Sequence, residues 1–314
     1  FTYHFTDQLS TTLGVRYSEE TKDYSYSELQ RAVTASLGFP WYAVAPTNQS
    51  ADFDDLSPRF GVEYQPSRDQ LFYASYSRGF RSGTFNGRAS TSQGVTSVEP
   101  ETLEQYEIGS KSEFLDGRLR VNLALFQSIY EDLQITSVLQ DPTLGLQINL
   151  VNAGEAKVFG GEAEILARLT DQLQLGLNVA YANSEITDFD PALTPTTGVR
   201  EGNQLPRTPE WSYTVSAAYT LPIFNGELQA RTDYAWVDEQ YHNAANHPYV
   251  LEDAYGLLSG RLAYTSNSGW QVSLFGSNLT DEVYFNRLFS AGASEAVAYP
   301  ARGREWGVSL RRDF

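Results

Sequence analysis

Apolar and polar residues alternate along most of this chain, and the C-terminal stretch Arg304–Phe314 shows the pattern most clearly. Trp306, Val308, Leu310 and Phe314 fall on one face of an extended strand, while polar residues fill the other face. A strand that separates lipid from a water-filled lumen needs one apolar and one polar face. Because the same period recurs along the chain, we count about thirteen strands.

The connections between these segments are short and long in turn. Asp116 and Gly117 close one predicted hairpin, because an Asp-Gly pair is a strong signal for a tight turn. A long polar loop, rich in Tyr, Ser and acidic residues, is expected between Tyr17 and Leu56. Short turns at one end of the strands and long loops at the other are typical of an outer-membrane barrel, whose short turns face the periplasm.

The pattern therefore predicts an all-β fold, a transmembrane antiparallel β-barrel. A β-propeller is excluded because the sequence contains no repeat of blade length. A sandwich is disfavoured because polar residues in nearly every strand would then lie in its core. In a barrel they face a polar lumen instead, and the charged residues assigned to this face are Arg16, Arg59, Glu63, Glu107, Lys111, Glu162 and Glu164.

The alternation also assigns individual side chains to the two sides of the barrel wall. The residues predicted to face lipid are Leu13, Val15, Phe60, Val62, Leu175, Val215 and Leu310. The residues predicted to face the lumen are Arg16, Glu63, Asn178 and Ser309. A slip of one position in any strand would exchange the two sets, so the assignment is directly testable.

Composition narrows the class of protein further. With 314 residues and 41% hydrophobic content, the chain is large enough for a core or a barrel. No apolar run approaches the roughly 20 residues of a membrane helix, and the mean hydropathy is −0.38. Tyr (20) outnumbers Phe (17) and Trp (5), as expected where rings sit at a bilayer surface. The absence of Cys excludes disulfides, and the net charge of −17 argues against nucleic acid as a partner.

Further strands are expected to precede Phe1. The sequence contains no Met, and it opens on a strand-like pattern with no signal peptide. Bacterial barrels have even strand counts, whereas about thirteen strands is an odd number. We therefore expect residues 1–314 to be one portion of a larger barrel.

Several stretches resemble one family through their order and spacing, although none is specific alone. They are SPRFGVEYQPSRDQLFYASYSRGFRSG (Ser57–Gly83), YEIGSKSEF (Tyr106–Phe114), DGRLRVNLALF (Asp116–Phe126), NAG (Asn152–Gly154), LPRTPEW (Leu205–Trp211) and SNLTDEVY (Ser277–Tyr284). Together they resemble TonB-dependent outer-membrane receptors over nearly the whole chain. The matching part is the C-terminal portion of the receptor barrel.

The resemblance implies a 22-stranded barrel closed by an N-terminal plug domain. The plug, the energy-coupling box and the early strands would then lie outside residues 1–314. The implied function is energy-coupled uptake of a scarce nutrient, most readily a ferric siderophore, at the cell outer membrane. Implied partners are outer-membrane lipid and lipopolysaccharide, the plug, TonB, the barrel-assembly machinery and the siderophore. A passive porin-like channel is the alternative, and a surface hydrolase or adhesin barrel lacks a recognisable site, so no enzymatic activity is expected.

The last strand also resembles the signal that the barrel-assembly machinery recognises. Its residues here are Trp306, Val308, Leu310 and the terminal Phe314. The family pattern has an aromatic residue two positions before the terminal one, where this chain has Arg312. An arginine at a membrane interface extends its charged end toward water, so the substitution is expected to be tolerated.

Candidate ligand-binding residues cluster where a strand ends in a glycine-rich loop. Arg81, Phe85 and Arg88 lie there, and Tyr241 and Tyr249 lie in a later loop. A ferric siderophore already saturates its iron, so its receptor needs guanidinium groups and aromatic faces more than metal ligands. The competing interpretation is that these arginines and glycines only shape the barrel wall and rim.

Two histidines in the later loop raise the question of a metal site. His242 and His247 lie near Asp238 and Glu239, but the spacing matches no known ligand motif. We therefore favour a polar loop and predict neither a metal site nor a cofactor. A nucleophile–base–orienter set is also not recognisable, so no catalytic residues are predicted.

Overall fold

The computed structural model describes residues 1–29, 43–87, 96–141, 145–290 and 296–312. In this part of the chain, thirteen strands form one antiparallel sheet in which the strand order follows the chain order. The strands are β1 (Thr2–His4), β2 (Leu9–Leu29), β3 (Ala43–Ser67), β4 (Gln70–Arg81), β5 (Glu101–Phe114), β6 (Leu119–Glu131), β7 (Glu155–Arg168), β8 (Leu173–Asp188), β9 (Trp211–Ile223), β10 (Gly226–Val237), β11 (Tyr255–Ser266), β12 (Trp270–Ser277) and β13 (Glu305–Arg312).

Short and long connections alternate between these strands, as the sequence predicts. The short turns are 5–8, 68–69, 115–118, 169–172, 224–225 and 267–269. The long connections with described residues are 82–100, 132–154, 189–210, 238–254 and 278–304. All short turns therefore lie at one end of the sheet, and the long connections form a layer at the other end, called here the long-loop end.

The long connections contain small elements of their own. The helical ones are the 3₁₀ turns Pro191–Leu193 and Pro248–Val250 and the single-turn helix α1 (Thr194–Thr197). The paired short strands are Thr84–Phe85 with Ser97–Val98, Gln134–Asp141 with Gly145–Asn152, Gln240–Tyr241 with Leu251–Glu252, and Phe285–Ser290 with Ala296–Pro300. No helix within the described ranges is long and apolar enough to cross a membrane.

The prediction of a polar loop between Tyr17 and Leu56 is wrong for most of this stretch. β2 continues to Leu29 and β3 begins at Ala43, so much of the acidic stretch is a two-stranded ribbon. The sequence analysis recognised strands by the alternation of apolar and polar residues. This criterion fails for a projecting ribbon, because both of its faces contact water and its residues need not alternate in polarity. Cross-strand bonds hold it instead, for example from the Thr21 hydroxyl to Asp52 Oδ1 at 2.8 Å.

One face of the sheet is polar and lines a trough. Glu164 lies opposite Asn122 on β6 and Asn178 on β8, and Asn122 lies opposite Lys111 on β5. The Asn122 amide donates to Glu164 Oε2 at 2.9 Å. The trough has a volume of about 680 Å³ and includes Glu107, Lys111, Glu162, Glu164 and Asn178 in its lining. This confirms the polar inner face.

The opposite face is apolar and open. Leu13 faces Phe60 across β2 and β3, and Val215 faces Leu177 across β9 and β8. The exposed fractions are 56% for Leu13, 46% for Val215 and 67% for Leu310. An apolar surface of this extent belongs in lipid, since water would make it unfavourable. The predicted lipid-facing and lumen-facing sets therefore lie on opposite faces of the sheet, which confirms the predicted assignment of the two sides.

Aromatic residues border the apolar face at both ends. At the long-loop end, Tyr181 packs on Trp211 at 4.7 Å and Tyr213 stacks on Trp236 at 5.2 Å between ring centroids. Such rings mark the boundary between bilayer and water. At the other end, the Arg312 guanidinium lies 4.9 Å from the Trp270 ring centroid. A cation–π contact thus accommodates the arginine that replaces the usual aromatic residue.

Candidate functional site

The RGFRSG stretch at the end of β4 is divided between wall and rim. Arg78 forms an ion pair with the buried carboxylate of Asp55 at 2.7 Å and also donates to the Leu56 carbonyl oxygen. Asp55 Oδ2 accepts from the Ser57 hydroxyl at 2.6 Å. Arg78 therefore stabilises the wall. Arg81, one of the predicted ligand contacts, is exposed at the end of β4.

Phe85 takes part in an aromatic stack that the sequence analysis did not anticipate. Its ring stacks on Tyr24 at 5.3 Å and 21°, and Tyr24 stacks on Tyr26 at 6.0 Å and 14°. Lys22 donates to the Gly83 carbonyl oxygen at 2.7 Å and so attaches this loop to β2. Two tyrosines of the ribbon thus join the predicted residue. The sequence signal that could have indicated Tyr24 and Tyr26 is their i, i+2 spacing. Both tyrosines lie further along β2 than a membrane-spanning strand of about 9–11 residues would reach.

The other predicted ligand contacts lie elsewhere on the loop layer. Tyr241 belongs to the short hairpin of 238–254, and Tyr249 stacks on His247 at 5.0 Å. Five strands of the wall lie between β4 and β10, so the two loops rise from different parts of the sheet. Arg88 lies outside the described residues, as does Phe314 of the assembly signal. The five-residue site remains a prediction.

His242 and Glu252 form a buried connection between two loops. His242 Nε2 lies 2.9 Å from Glu252 Oε2, and their side chains are only 2% and 4% exposed. His242 Nδ1 accepts from the Leu288 backbone N–H at 3.1 Å, which assigns the neutral tautomer with its proton on Nε2. Glu252 Oε1 accepts from the Phe285 N–H at 2.7 Å. The pair thus fixes the 285–300 hairpin to the 240–252 hairpin.

Replacing His242 by leucine should release the 285–300 hairpin. The change removes both ring hydrogen bonds and leaves the Leu288 N–H and the Glu252 carboxylate short of a buried partner, at a cost of about 1–3 kcal/mol. Trypsin cleavage after Arg287, mapped by mass spectrometry, is expected to become faster. His242→Gln is the matched control, because an amide in place of Nε2 still donates to Glu252. Equal cleavage rates in wild type and His242→Leu would contradict this role.

The NAG motif connects the loop 82–100 to the loop 132–154. The Asn152 amide donates to the carbonyl oxygens of Glu99 and Asp132 at 2.9 Å each, and its Oδ1 accepts from the Glu99 N–H. Ala153 is 2% exposed. Gly154 has φ +109°, and an added Cβ would collide with the Asp188 carbonyl. Each residue of the motif therefore has its own structural role: Asn152 bonds two loops, Ala153 is buried, and Gly154 permits close packing against Asp188.

Apolar packing and further polar bonds continue this layer across the long-loop end. A buried cluster joins the loops around β6–β9: Leu133, Ile135, Ala153, Ala156, Ile186, Phe189 and Val199. The Asn246 amide and Gln204 exchange two hydrogen bonds, at 2.6 and 3.0 Å. Arg207 of the LPRTPEW motif has φ +57° and donates to the Asn286 carbonyl oxygen at 2.7 Å. The loops from 82 to 304 are therefore successively joined.

The two histidines of the loop 238–254 contact other residues of the loop layer. Among the residues that the structure describes, no group of three or more His, Cys, Asp or Glu side chains could hold a metal ion. His242 is engaged with Glu252 and Leu288, and His247 with the Tyr249 ring. Both histidines thus have structural contacts, and Asp238 caps the following backbone N–H of Glu239.

Comparison with known proteins places this architecture among receptors. The family model described as "TonB dependent receptor-like, beta-barrel" matches residues 1–279. The ferric-pyoverdine M114 receptor PbuA of Pseudomonas sp. (strain M114) is 27% identical over 98% of this chain and 34% of its own length. The pesticin receptor of Yersinia enterocolitica is 24% identical over 100% of this chain and 42% of its length. The chain thus spans less than half of these relatives.

Solved structures show the same fold. The ferric yersiniabactin uptake receptor FyuA from Yersinia pestis superposes with a TM-score of 0.80 at 22% identity, covering 100% of this chain and 44% of that one. The copper transporter OprC superposes with a TM-score of 0.74 at 17% identity, covering 98% and 46%. At these identities the likeness concerns the fold, and the cargoes named for the two proteins differ.

Proposed function

The chain belongs to the TonB-dependent receptor family, and from this premise we propose that it is the C-terminal barrel portion of a receptor that imports a ferric siderophore by energy coupling. The family match over residues 1–279 carries the proposal, because it favours a receptor over a porin-like channel. The similarity to the ferric-pyoverdine receptor PbuA, the ferric yersiniabactin uptake receptor FyuA and the siderophore receptor PiuA supports the substrate class.

The plug domain and the remaining strands are part of the proposal. In the described part of the chain, β1 pairs only with β2 and β13 only with β12, so both ends of the sheet offer a free edge. A 22-stranded barrel would need about nine more strands to join these edges. Charged groups in the trough, including Glu107, Glu162 and Lys111, would then contact the plug.

The proposed partners follow from the two faces and the two ends of the wall. The apolar face meets outer-membrane lipid, and the long-loop end meets lipopolysaccharide and the siderophore. TonB would act through the plug, outside residues 1–314. The barrel-assembly machinery would recognise β13, whose Trp306, Val308 and Leu310 lie exposed on the outer face at 74%, 65% and 67%.

The proposed ligand contacts are Arg81, Phe85, Arg88, Tyr241 and Tyr249. Guanidinium and aromatic groups in the loops of the long-loop end suit a large anionic chelate. Alanine at each position of the intact receptor should weaken ferric siderophore binding while the amount in the outer membrane stays constant. Losses of about 1 kcal/mol each are expected from such contacts.

The experiment is a binding titration of the purified intact receptor by quenching of its tryptophan fluorescence. The control is Arg120→Ala, which removes an exposed arginine at the short-turn end of β6. Unchanged affinity in all five variants would reject the site, and a receptor that binds no ferric siderophore would reject the function.

A further inference from the structure

Three rings at the long-loop end form a ladder, Tyr26–Tyr24–Phe85. Neighbouring centroids lie 6.0 and 5.3 Å apart, and the planes differ by 14° and 21°. These separations are those of stacked aromatic pairs. Each of the three residues is half-buried.

The strand register places the ladder on the inner side of the wall. Thr12 faces Gly61, which faces Ser75, which faces the trough residue Glu107. Even-numbered residues of β2 share the side of Thr12, and Tyr24 and Tyr26 follow this parity. The ladder therefore faces the space above the lumen.

The ladder also lies above the bilayer. Tyr24 is fifteen positions beyond Leu9, which begins β2 at the short-turn end. At about 3.3 Å per residue and a tilt of about 45°, this corresponds to a height of about 35 Å. The apolar band of an outer-membrane barrel is only about 25 Å tall. Neither lipid contact nor a girdle position accounts for these rings.

Two separate segments build the ladder. The ribbon supplies both tyrosines, and the loop 82–100 supplies Phe85. The bond from Lys22 Nζ to the Gly83 carbonyl oxygen holds this loop against the ribbon. At Gly83 a Cβ would collide with the Phe53 ring, so the glycine permits the close approach. The arrangement is therefore positioned by the fold beyond the contact between rings.

We propose that the ladder Tyr26–Tyr24–Phe85 binds a flat aryl group of the ligand. This rests on the proposed function and makes the substrate a ferric chelate whose iron-binding groups are catecholate or hydroxyphenyl rings. An aryl ring extends an offset stack, whereas an aliphatic trihydroxamate has no planar ring to add. The ladder thus selects between siderophore classes.

The test compares three probes on the intact receptor: a ferric tris-catecholate, a ferric hydroxyphenyl-thiazoline chelate and a ferric aliphatic trihydroxamate. Tyr24→Leu and Phe85→Leu remove a ring and retain apolar bulk, while Tyr24→Phe keeps the ring. Tyr213→Leu is the matched control, because Tyr213 stacks on Trp236 at 5.2 Å on the outer, lipid-facing side. Thermal melting of each variant confirms that the receptor remains folded.

Tyr24→Leu and Phe85→Leu are expected to weaken binding of an aryl probe by roughly 3- to 10-fold. Tyr24→Phe and Tyr213→Leu should stay within about twofold of wild type. Unchanged aryl affinity in both ring-removing variants, or equal losses for aryl and trihydroxamate probes, would overturn the proposal. A receptor that binds only the trihydroxamate would refute the ladder and leave the proposed function intact. One that binds no ferric chelate would refute both.

If a leucine variant fails to fold, Tyr26→Leu replaces it, because Tyr26 is the second tyrosine of the ladder and stacks on Tyr24 at 6.0 Å. The same fold-change and the same contradicting results apply to that variant.

Discussion

Replacing Arg78 by methionine is expected to lower the free energy of unfolding of the intact receptor by about 3 kcal/mol or more. The change removes the partner of the Asp55 carboxylate, whose side chain is only 6% exposed. The Ser57 hydroxyl remains as a donor, but one neutral bond does not balance a buried charge. The measurement is unfolding by heat or urea. The folded fraction is monitored on gels, where folded and unfolded receptor migrate differently.

Arg81→Met is the matched control for this prediction. It makes the same chemical change three residues later in the same motif, at an exposed position. Surface substitutions of this kind usually change stability by no more than about 0.5 kcal/mol. Equal stability of the two variants would show that Arg78 is not part of the wall.

Gly154→Ala is expected to have the second large effect, at least about 3 kcal/mol or failure to assemble. Gly154 has φ +109°, a region that L-residues rarely adopt, and its Cβ would overlap the Asp188 carbonyl. The loop 132–154 would have to move away from β8, which would break the bonds of Asn152 and the buried cluster around Ala153.

Gly202→Ala separates the two causes of that effect. Gly202 has φ +85°, but a Cβ there meets nothing within 4 Å. Only the backbone cost of about 1–2 kcal/mol should appear. The check is the amount of folded receptor in isolated outer membranes for both variants. If Gly154→Ala assembles as well as Gly202→Ala, the close packing at Gly154 is not required.

Most of the wall could be predicted from the sequence. Residues such as Leu13 and Arg16 are assigned to faces by a local period of two, which a lipid–lumen boundary imposes on every strand. The same rule failed at the ribbon between Tyr17 and Leu56, because a ribbon with water on both sides imposes no alternation. Strand boundaries were thus predictable where a membrane constrains them.

The loop layer could not be predicted in the same way. The bonds of His242 to Glu252 and Leu288, and of Arg207 to Asn286, join residues that are 10 to 79 positions apart. No local periodicity encodes such contacts. For this reason the sequence indicated Phe85 as a candidate but did not indicate Tyr24, with which it stacks.

The proposal that this chain forms part of the barrel of an energy-coupled receptor is tested most directly by one measurement of uptake. Cells that make the intact protein are given a radioactive ferric siderophore, with and without a protonophore that collapses the inner-membrane potential. Energy-coupled import predicts uptake that saturates at low concentration and falls to the level of receptor-free cells when the protonophore is present. Uptake that rises in proportion to concentration and is unchanged by the protonophore would identify a passive channel and contradict the claim.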